Sequence, residues 1–336
     1  MRNKFYIRSF LIVAVMILLS SFYYLPYYVS KPGMAKELEP IIEVENGYEE
    51  KGTFMLTTVR MGRANIYAYV TAKLSKYQEL YPVEDIRGEN ETDEEYNVRQ
   101  LHLMASSKLA AIETAYKKAG IPIKYDYNGV YVLNVMPDMP AHGKLQAGDR
   151  IFKVNGKEFE SSDEFIGTVS EKQEGDEITL TYERQDHTKE TTITLKTLQE
   201  TGKPGVGITL VDDKEVEVEP AVNIESDEIG GPSAGLMFSL EIYNQLIKED
   251  LTGGFQIAGT GTINAEGTVG RIGGIEQKIV AADKAGAEIF FAPNENGAKD
   301  SNYKAAAATA KDIGTDMKIV PVDTFDDAVE YLRNLN

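Results

Sequence analysis

Two glycine-punctuated pieces limit what the second half of this chain can fold into: GGPSAG at 230–235 and IAGTGTINAEGTVGRIGGIEQKIVAADKAGA at 257–287. The first runs directly into the amphipathic LMFSLEIYNQL, which places Ser233 at the start of a helix. A serine there can be a plain cap, its hydroxyl accepting from an unpaired N–H of the first turn. Flanking glycines let backbone approach closely, and the same hydroxyl could then face a substrate at the positive end of the helix dipole. The second piece reads as a strand, a glycine-rich hairpin and a helix whose first turn holds Lys278.

The N-terminus adds a different constraint. Arg2, Lys4 and Arg8 precede FLIVAVMILLSSFYYLPYYV (10–29), a run without a charge, and Lys31 and Lys36 follow it. Its length suits a membrane-spanning helix. The closing tyrosines suit an interfacial aromatic belt, and the basic start points to a cytoplasmic N-terminus. A removable signal peptide would carry a shorter apolar core ending in a small-x-small pattern, whereas this run ends in tyrosines, Pro26 and SKPG. Residues 1–36 are therefore expected to form a cytoplasmic N-terminus and a single-pass anchor in the cell membrane, with the body outside the cytoplasm.

That body is acidic. The formal net charge is −18, the first 36 residues hold five basic groups and no acid, and the remainder carries 30 basic against 53 acidic residues. Such a surface repels nucleic acid and anionic lipid. The absence of cysteine excludes disulfides, thiol nucleophiles and Cys-based metal sites. His102, His142 and His187 stand far apart in polar settings and read as solvated surface residues, so no metal site and no cofactor is expected.

Between these ends, GTFMLTTV (52–59) and NIYAYVTAKL (65–74) read as two strands, or as a strand running into a helix. EDIRGENETDEEY (84–96) reads as a solvated loop or helix start, and VRQLHLMASSKLAAIETAYKKAG (98–120) as a helix closing on Lys-Lys-Ala-Gly. Short β-like runs return from 121 to about 197. Among them LQAGDRIFKVNGKEF (145–159) resembles the PDZ domain signature, with a Gly-Asp turn into a strand and an Asn-Gly turn out of it. NGVYVLNV resembles the loop and strand that receive a peptide, which makes Asn128, Gly129, Val130, Tyr131, Val132 and Leu133 the expected groove. A PDZ domain adds an extended chain to a sheet edge and captures a terminal carboxylate with loop N–H groups. A generic small β domain whose Asn-Gly is only a hairpin turn remains the other reading.

Taken together, the glycine-rich pieces resemble the proteolytic domain of the Lon family. There the nucleophile sits in a P-S-A-G turn, as Ser233 does between Pro232 and Ala234-Gly235, and the lysine follows an I-G-G segment, as Lys278 follows Ile272-Gly273-Gly274. Thr260, before the hairpin, corresponds to an active-site hydroxyl of that family. The family's aspartate three residues before the serine is replaced by Gly230, with Asp227 and Glu228 slightly upstream. The order of anchor, PDZ and protease is similar to the membrane-anchored Lon-like proteases of Gram-positive bacteria. The resemblance implies an α+β / α/β multidomain chain: an anchor over 1–36, an extracytoplasmic segment over 37–118, a PDZ domain over 119–198 and a Lon-type α/β domain over 203–336. The last is short for such a domain, and GTFMLTTV could supply a missing edge strand, which would make the PDZ unit an insertion; a separate N-terminal subdomain is the alternative.

The implied chemistry suits these residues. A serine hydroxyl needs a base, and a lysine whose pKa is lowered by burial supplies one without histidine. Thr260 would hold the amine, and N–H groups around Gly231 to Ala234 would stabilise an oxyanion. No G-x-x-x-x-G-K-[ST] occurs, so no ATP is expected. Ser301-x-x-Lys304 has the spacing of penicillin-binding enzymes but lacks their companion motifs and reads as chance. The expected activity is an ATP-independent serine endopeptidase acting on extended exported peptides or small membrane proteins. The rival is a non-catalytic PDZ scaffold at the outer membrane surface. Either could be oligomeric.

Overall fold

A computed structural model describes residues 20–88, 91–199, 201–226 and 229–335, together with Tyr6, Phe10, Leu11 and Leu18. The strands that position the site are β1 (Tyr24–Glu37), β2 (Thr53–Asn65), β3 (Glu79–Pro82), β4 (Ile123–Val135), β5 (Arg150–Val154), β6 (Glu177–Arg184), β7 (His187–Thr194), β8 (Ile208–Val218), β9 (Gln256–Gly259), β10 (Ile289–Pro293) and β11 (Lys318–Val322). The helices are α1 (Ile66–Leu74), α2 (Asp93–Ala119), α3 (Ser162–Ser170), α4 (Gly235–Leu246), α5 (Ile275–Lys284), α6 (Asn302–Ile313) and α7 (Phe325–Arg333).

One sheet runs in the order β11-β10-β9-β2-β1-β3. Strands from both ends of the sequence thus share a sheet: β2 pairs in parallel with β9 and antiparallel with β1. The expected edge strand GTFMLTTV is instead central, its Phe54, Met55 and Leu56 all buried. Two apolar clusters cover the two faces. Leu56, Met104, Leu236, Phe238 and Phe291 belong to the one built around α2 and α4, and Met55, Ile275, Ile279 and Phe290 to the one around α5 and α6. Helix α4 is buried on nearly every side, its polar Ser239, Glu241, Asn244 and Gln245 included.

Residues 123–218 form a second unit between α2 and the short pair of Val222–Ile224 with Ile42–Val44, its sheet running in the order β8-β4-β5-β6-β7. It has its own core of Val130, Val132, Ile151, Phe165, Leu180 and Ile193. Chain topology therefore inserts this unit within the larger fold. The boundaries expected at 198 and 203 move, because β8 completes the inserted sheet and carries it to Val218.

The N-terminal expectation changes too. Most of residues 1–19 lie outside the described residues, and among the described residues no helix is long and apolar enough to cross a membrane. An anchor reaching to residue 36 is corrected at its C-terminal end: Tyr24–Glu37 is strand β1. Of the tyrosines read as a membrane belt, Tyr23 and Tyr24 are exposed, whereas Tyr27 and Tyr28 pack within the protein. Tyr28 is buried, stacks with Tyr96 at 6.3 Å and lies under the guanidinium groups of Arg63 and Arg87, while Tyr27 packs on Tyr69 at 5.3 Å. Tyrosine with an apolar body and a polar tip satisfies either setting.

Local signals explain the rest. Asn65 ends β2 and caps α1, its side chain accepting from the Ala68 N–H, so NIYAYVTAKL is a strand end running into a helix. The acidic stretch contains a helical turn, Val83–Ile86, and then the start of α2, where Thr92 and Glu95 form a capping box.

Candidate active site

Lys278 is the fourth residue of α5. That helix begins at Gly274, whose φ of +69° and contact with Val59, 2.7 Å from where a Cβ would stand, both require glycine. The tight start presses α5 against β2 and turns the lysine inward, where it is 2% exposed. Its Nζ lies 2.9 Å from Ser233 Oγ, 2.9 Å from Thr260 Oγ1 and 2.9 Å from the Thr57 carbonyl oxygen. No carboxylate is among these partners. Burial alone lowers the lysine pKa, from 10.5 to about 7.

Ser233 sits in the turn before α4, beside a glycine whose Cβ would collide with Ile263 and Ser107, so Gly235 lets the helix start close against the hairpin. The Ser233 carbonyl accepts twice, from the Gly261 N–H at 3.0 Å and from Thr260 Oγ1 at 3.0 Å. The Ser107 hydroxyl donates to the Pro232 carbonyl at 3.1 Å. The serine loop is thus held from the α2 side and from the β9 side at once. Because the Thr260 hydroxyl proton is committed to the Ser233 carbonyl, its oxygen can only accept from Lys278. The Thr57 carbonyl can also only accept. A neutral amine, with two N–H bonds and one lone pair, then directs that lone pair at the Ser233 hydroxyl.

The oxyanion expectation needs correction at two positions. The Gly231 N–H donates to the Gln100 carbonyl at 3.1 Å, and Pro232 has no N–H. Among the described residues no partner engages the N–H of Ser233 or of Ala234. Asp227 and Glu228 lie outside the described residues. Sequence reasoning also missed Thr57, which contributes through its backbone and has no side-chain signature.

The expected PDZ groove is not open. Strand β4 holds Asn128 to Leu133 between two neighbours: Val130 pairs with Asp212 of β8 and Ile151 of β5, and Tyr131 with Val211 and Arg150. Val130 and Val132 are fully buried, and the Tyr131 ring packs on His102 of α2 at 4.1 Å. That contact also removes His102 from the solvated surface, and burial lowers its pKa. The edge strands of this sheet are β8 and β7, and of these β8 has α3 beside it. Ser301 is the N-cap of α6 and Lys304 bonds the Gly297 and Ala298 carbonyls, so that pair is structural.

Residues 174–334 match the Lon protease (S16) C-terminal proteolytic domain. Just under half of the chain is thus similar to the proteolytic part of Lon-type serine peptidases. Residues 117–195 match the PDZ domain. The Lon-type match begins inside the PDZ sheet, at β6, and omits β1 and β2, which the structure places in the same sheet as β9, β10 and β11. Similar proteins include the Lon protease of Campylobacter jejuni, 32% identical over 165 residues, and that of Campylobacter concisus, 36% identical over 100 residues. These alignments cover 46% and 30% of this chain but only 20% and 12% of the relatives, so the chain spans about a fifth of the Campylobacter jejuni protein at most. Among solved structures, the PDZ domain of an SdrC-like protein from Listeria monocytogenes is 42% identical, with 26% of this chain and 93% of that one covered and a TM-score of 0.25. The matched region contains Ser233, Thr260 and Lys278; Thr57 reaches it from the N-terminal strands.

Proposed function

We propose that this protein is a serine endopeptidase in which Ser233 is the nucleophile and Lys278 the general base, acting without ATP on chains that are already extended. The observation that carries this reading is the three-way contact of Lys278 Nζ, which leaves a neutral lysine one direction for its lone pair. Ser233 Oγ attacks the scissile carbonyl while Lys278 takes the hydroxyl proton. The tetrahedral oxygen is met by the Ser233 and Ala234 N–H groups at the start of α4. Lys278 returns the proton to the leaving amine, and a water activated by the same amine then hydrolyses the acyl-enzyme. Thr260 positions Lys278, and its hydroxyl also fixes the serine loop.

Substrate delivery is assigned to the PDZ unit. A peptide would add to the exposed β8 edge beside α3, where strand hydrogen bonding is unsatisfied, and not to β4. Membrane attachment is proposed through the apolar N-terminal run, shortened now to the residues before Tyr24.

The purified protein should cleave casein, an extended chain, in the absence of ATP, and Ser233→Ala should remove that cleavage. Casein bound but left intact by the unmodified protein would favour the non-catalytic scaffold.

A further inference from the structure

The cleft in front of Ser233 has about 700 Å³ of volume. Its described lining includes Lys36, Arg60, Arg271 and Lys278 and not one carboxylate, in a chain with 53 acidic residues against 35 basic ones. Two of those cations are spoken for. Lys278 belongs to the catalytic contact, and Arg271 pairs with Glu295 and Asp300, each at 3.4 Å. The side chains of Lys36 and Arg60 are exposed and engage no carboxylate among the described residues.

Arg60 also has a defined place relative to the reacting atoms. Strand β9 covers β2 only from Thr53 to Leu56, so from Thr57 outward that edge is open, while β1 covers the opposite edge. The Thr57 carbonyl points out of the open edge at Lys278. By the two-residue period of a strand, the peptide groups of Val59 and Met61 point the same way, and the Arg60 side chain stands perpendicular to them. It therefore shares the face of Leu56, which packs in the cluster around α2 and α4, the helix that Ser233 precedes. Three residues at about 3.3 Å each put Arg60 roughly 10 Å along the strand from Thr57. An extended substrate lying on this open edge, with its scissile carbonyl at Ser233, brings the side chain about three residues from that bond beside Arg60.

Resting on the peptidase reading above, we propose that Arg60 selects substrates that carry an acidic side chain about three residues from the cleaved bond. The guanidinium presents a planar fork that fits a carboxylate with two hydrogen bonds, which a flexible ammonium does not reproduce. The acidic surface elsewhere repels acidic peptides, so the selection is confined to the cleft. Hydrogen bonds to charged groups are strong enough for a loss of about 10-fold or more when the carboxylate becomes an amide.

The test starts from a casein cleavage site mapped by mass spectrometry with the full chain. Peptides spanning it are made with Glu, Gln or Lys three positions to either side of the scissile bond, and kcat/KM is measured for each. The expected result is about a 10-fold preference for Glu over Gln on one side. Arg60→Gln should abolish that preference and Arg60→Glu should turn it toward Lys; two variants guard against one failing to fold. Equal rates for the three peptides on both sides, or a Glu preference that survives in Arg60→Glu, would overturn the proposal while leaving the peptidase reading intact. Absence of any cleavage sensitive to Ser233→Ala would overturn both.

Discussion

Replacing Ser233 by alanine, or Lys278 by methionine, is expected to lower peptide turnover by at least about 10³-fold, and combining the two should cost little more than either alone. Residues that act as one unit are not additive, because each is useless without the other. Methionine keeps the length and apolar body of the buried lysine, so the folded state should persist, as circular dichroism would register. Lys278→Arg should be equally inactive: a guanidinium stays protonated and offers no lone pair. Thr260→Val should fall between these and the unmodified enzyme, since Thr57 and Ser233 would still hold the amine. Near-normal turnover in Lys278→Met or Lys278→Arg would remove the lysine from the mechanism.

The second large effect is on stability. Lys278 binds its proton with a pKa of about 7 when folded and 10.5 as the reference value, so between these values the unfolded chain holds more protons than the folded one. Stability contributed by this site then rises with pH, by roughly 1.4 kcal/mol per unit well inside the window. Between pH 7 and 9 the gain is about 2 kcal/mol. Two carboxylates act in the opposite sense. Burial raises Glu241 to about 8 and Glu50 to about 7, so the folded chain holds extra protons between 4.5 and those values, and stability falls as pH rises through that range. Glu241 is fully buried, accepts from Gln245 Nε2 at 2.5 Å with one oxygen, and has no partner for the other among the described residues. The clean quantity is therefore a difference. Urea denaturation at pH 7 and pH 9 should show the unmodified protein gaining about 2 kcal/mol relative to Lys278→Met, and parallel behaviour of the two would mean that Lys278 is not neutralised by burial.

What could be read in advance was the chemistry carried by short, local patterns. Ser233, Thr260 and Lys278 were legible because a turn before a helix, a strand end and a helix first turn each leave a signature in consecutive residues, and the structure brings their side chains within 2.9 Å of one amine. The third partner was not legible. Thr57 acts through its carbonyl, which every residue has, and only the parallel pairing of β2 with β9 puts that group at the site. The same long-range pairing hid the insertion, since no local feature states that strands some 200 residues apart are neighbours. Tyr24–Val29 misled for a related reason: the side chains that suit a membrane boundary also suit a half-buried strand. NGVYVLNV suggests an edge strand, but β8, which follows the PDZ signature in sequence, pairs along β4 and covers it. Gly231 is no oxyanion donor here because its N–H is bonded to the Gln100 carbonyl, a partner from a distant helix that the P-S-A-G turn does not reveal.

If a lysine made neutral by burial removes the Ser233 proton, the pH dependence of kcat/KM on a neutral peptide reports its titration. The peptide and Ser233 do not titrate in the range used, so the profile reports the free enzyme's base. The expected profile rises about tenfold per unit below pH 7, bends near 7 where Lys278 loses its proton, and is flat above it. An optimum below about pH 6, or a rate that does not change between pH 5 and 8, would contradict it.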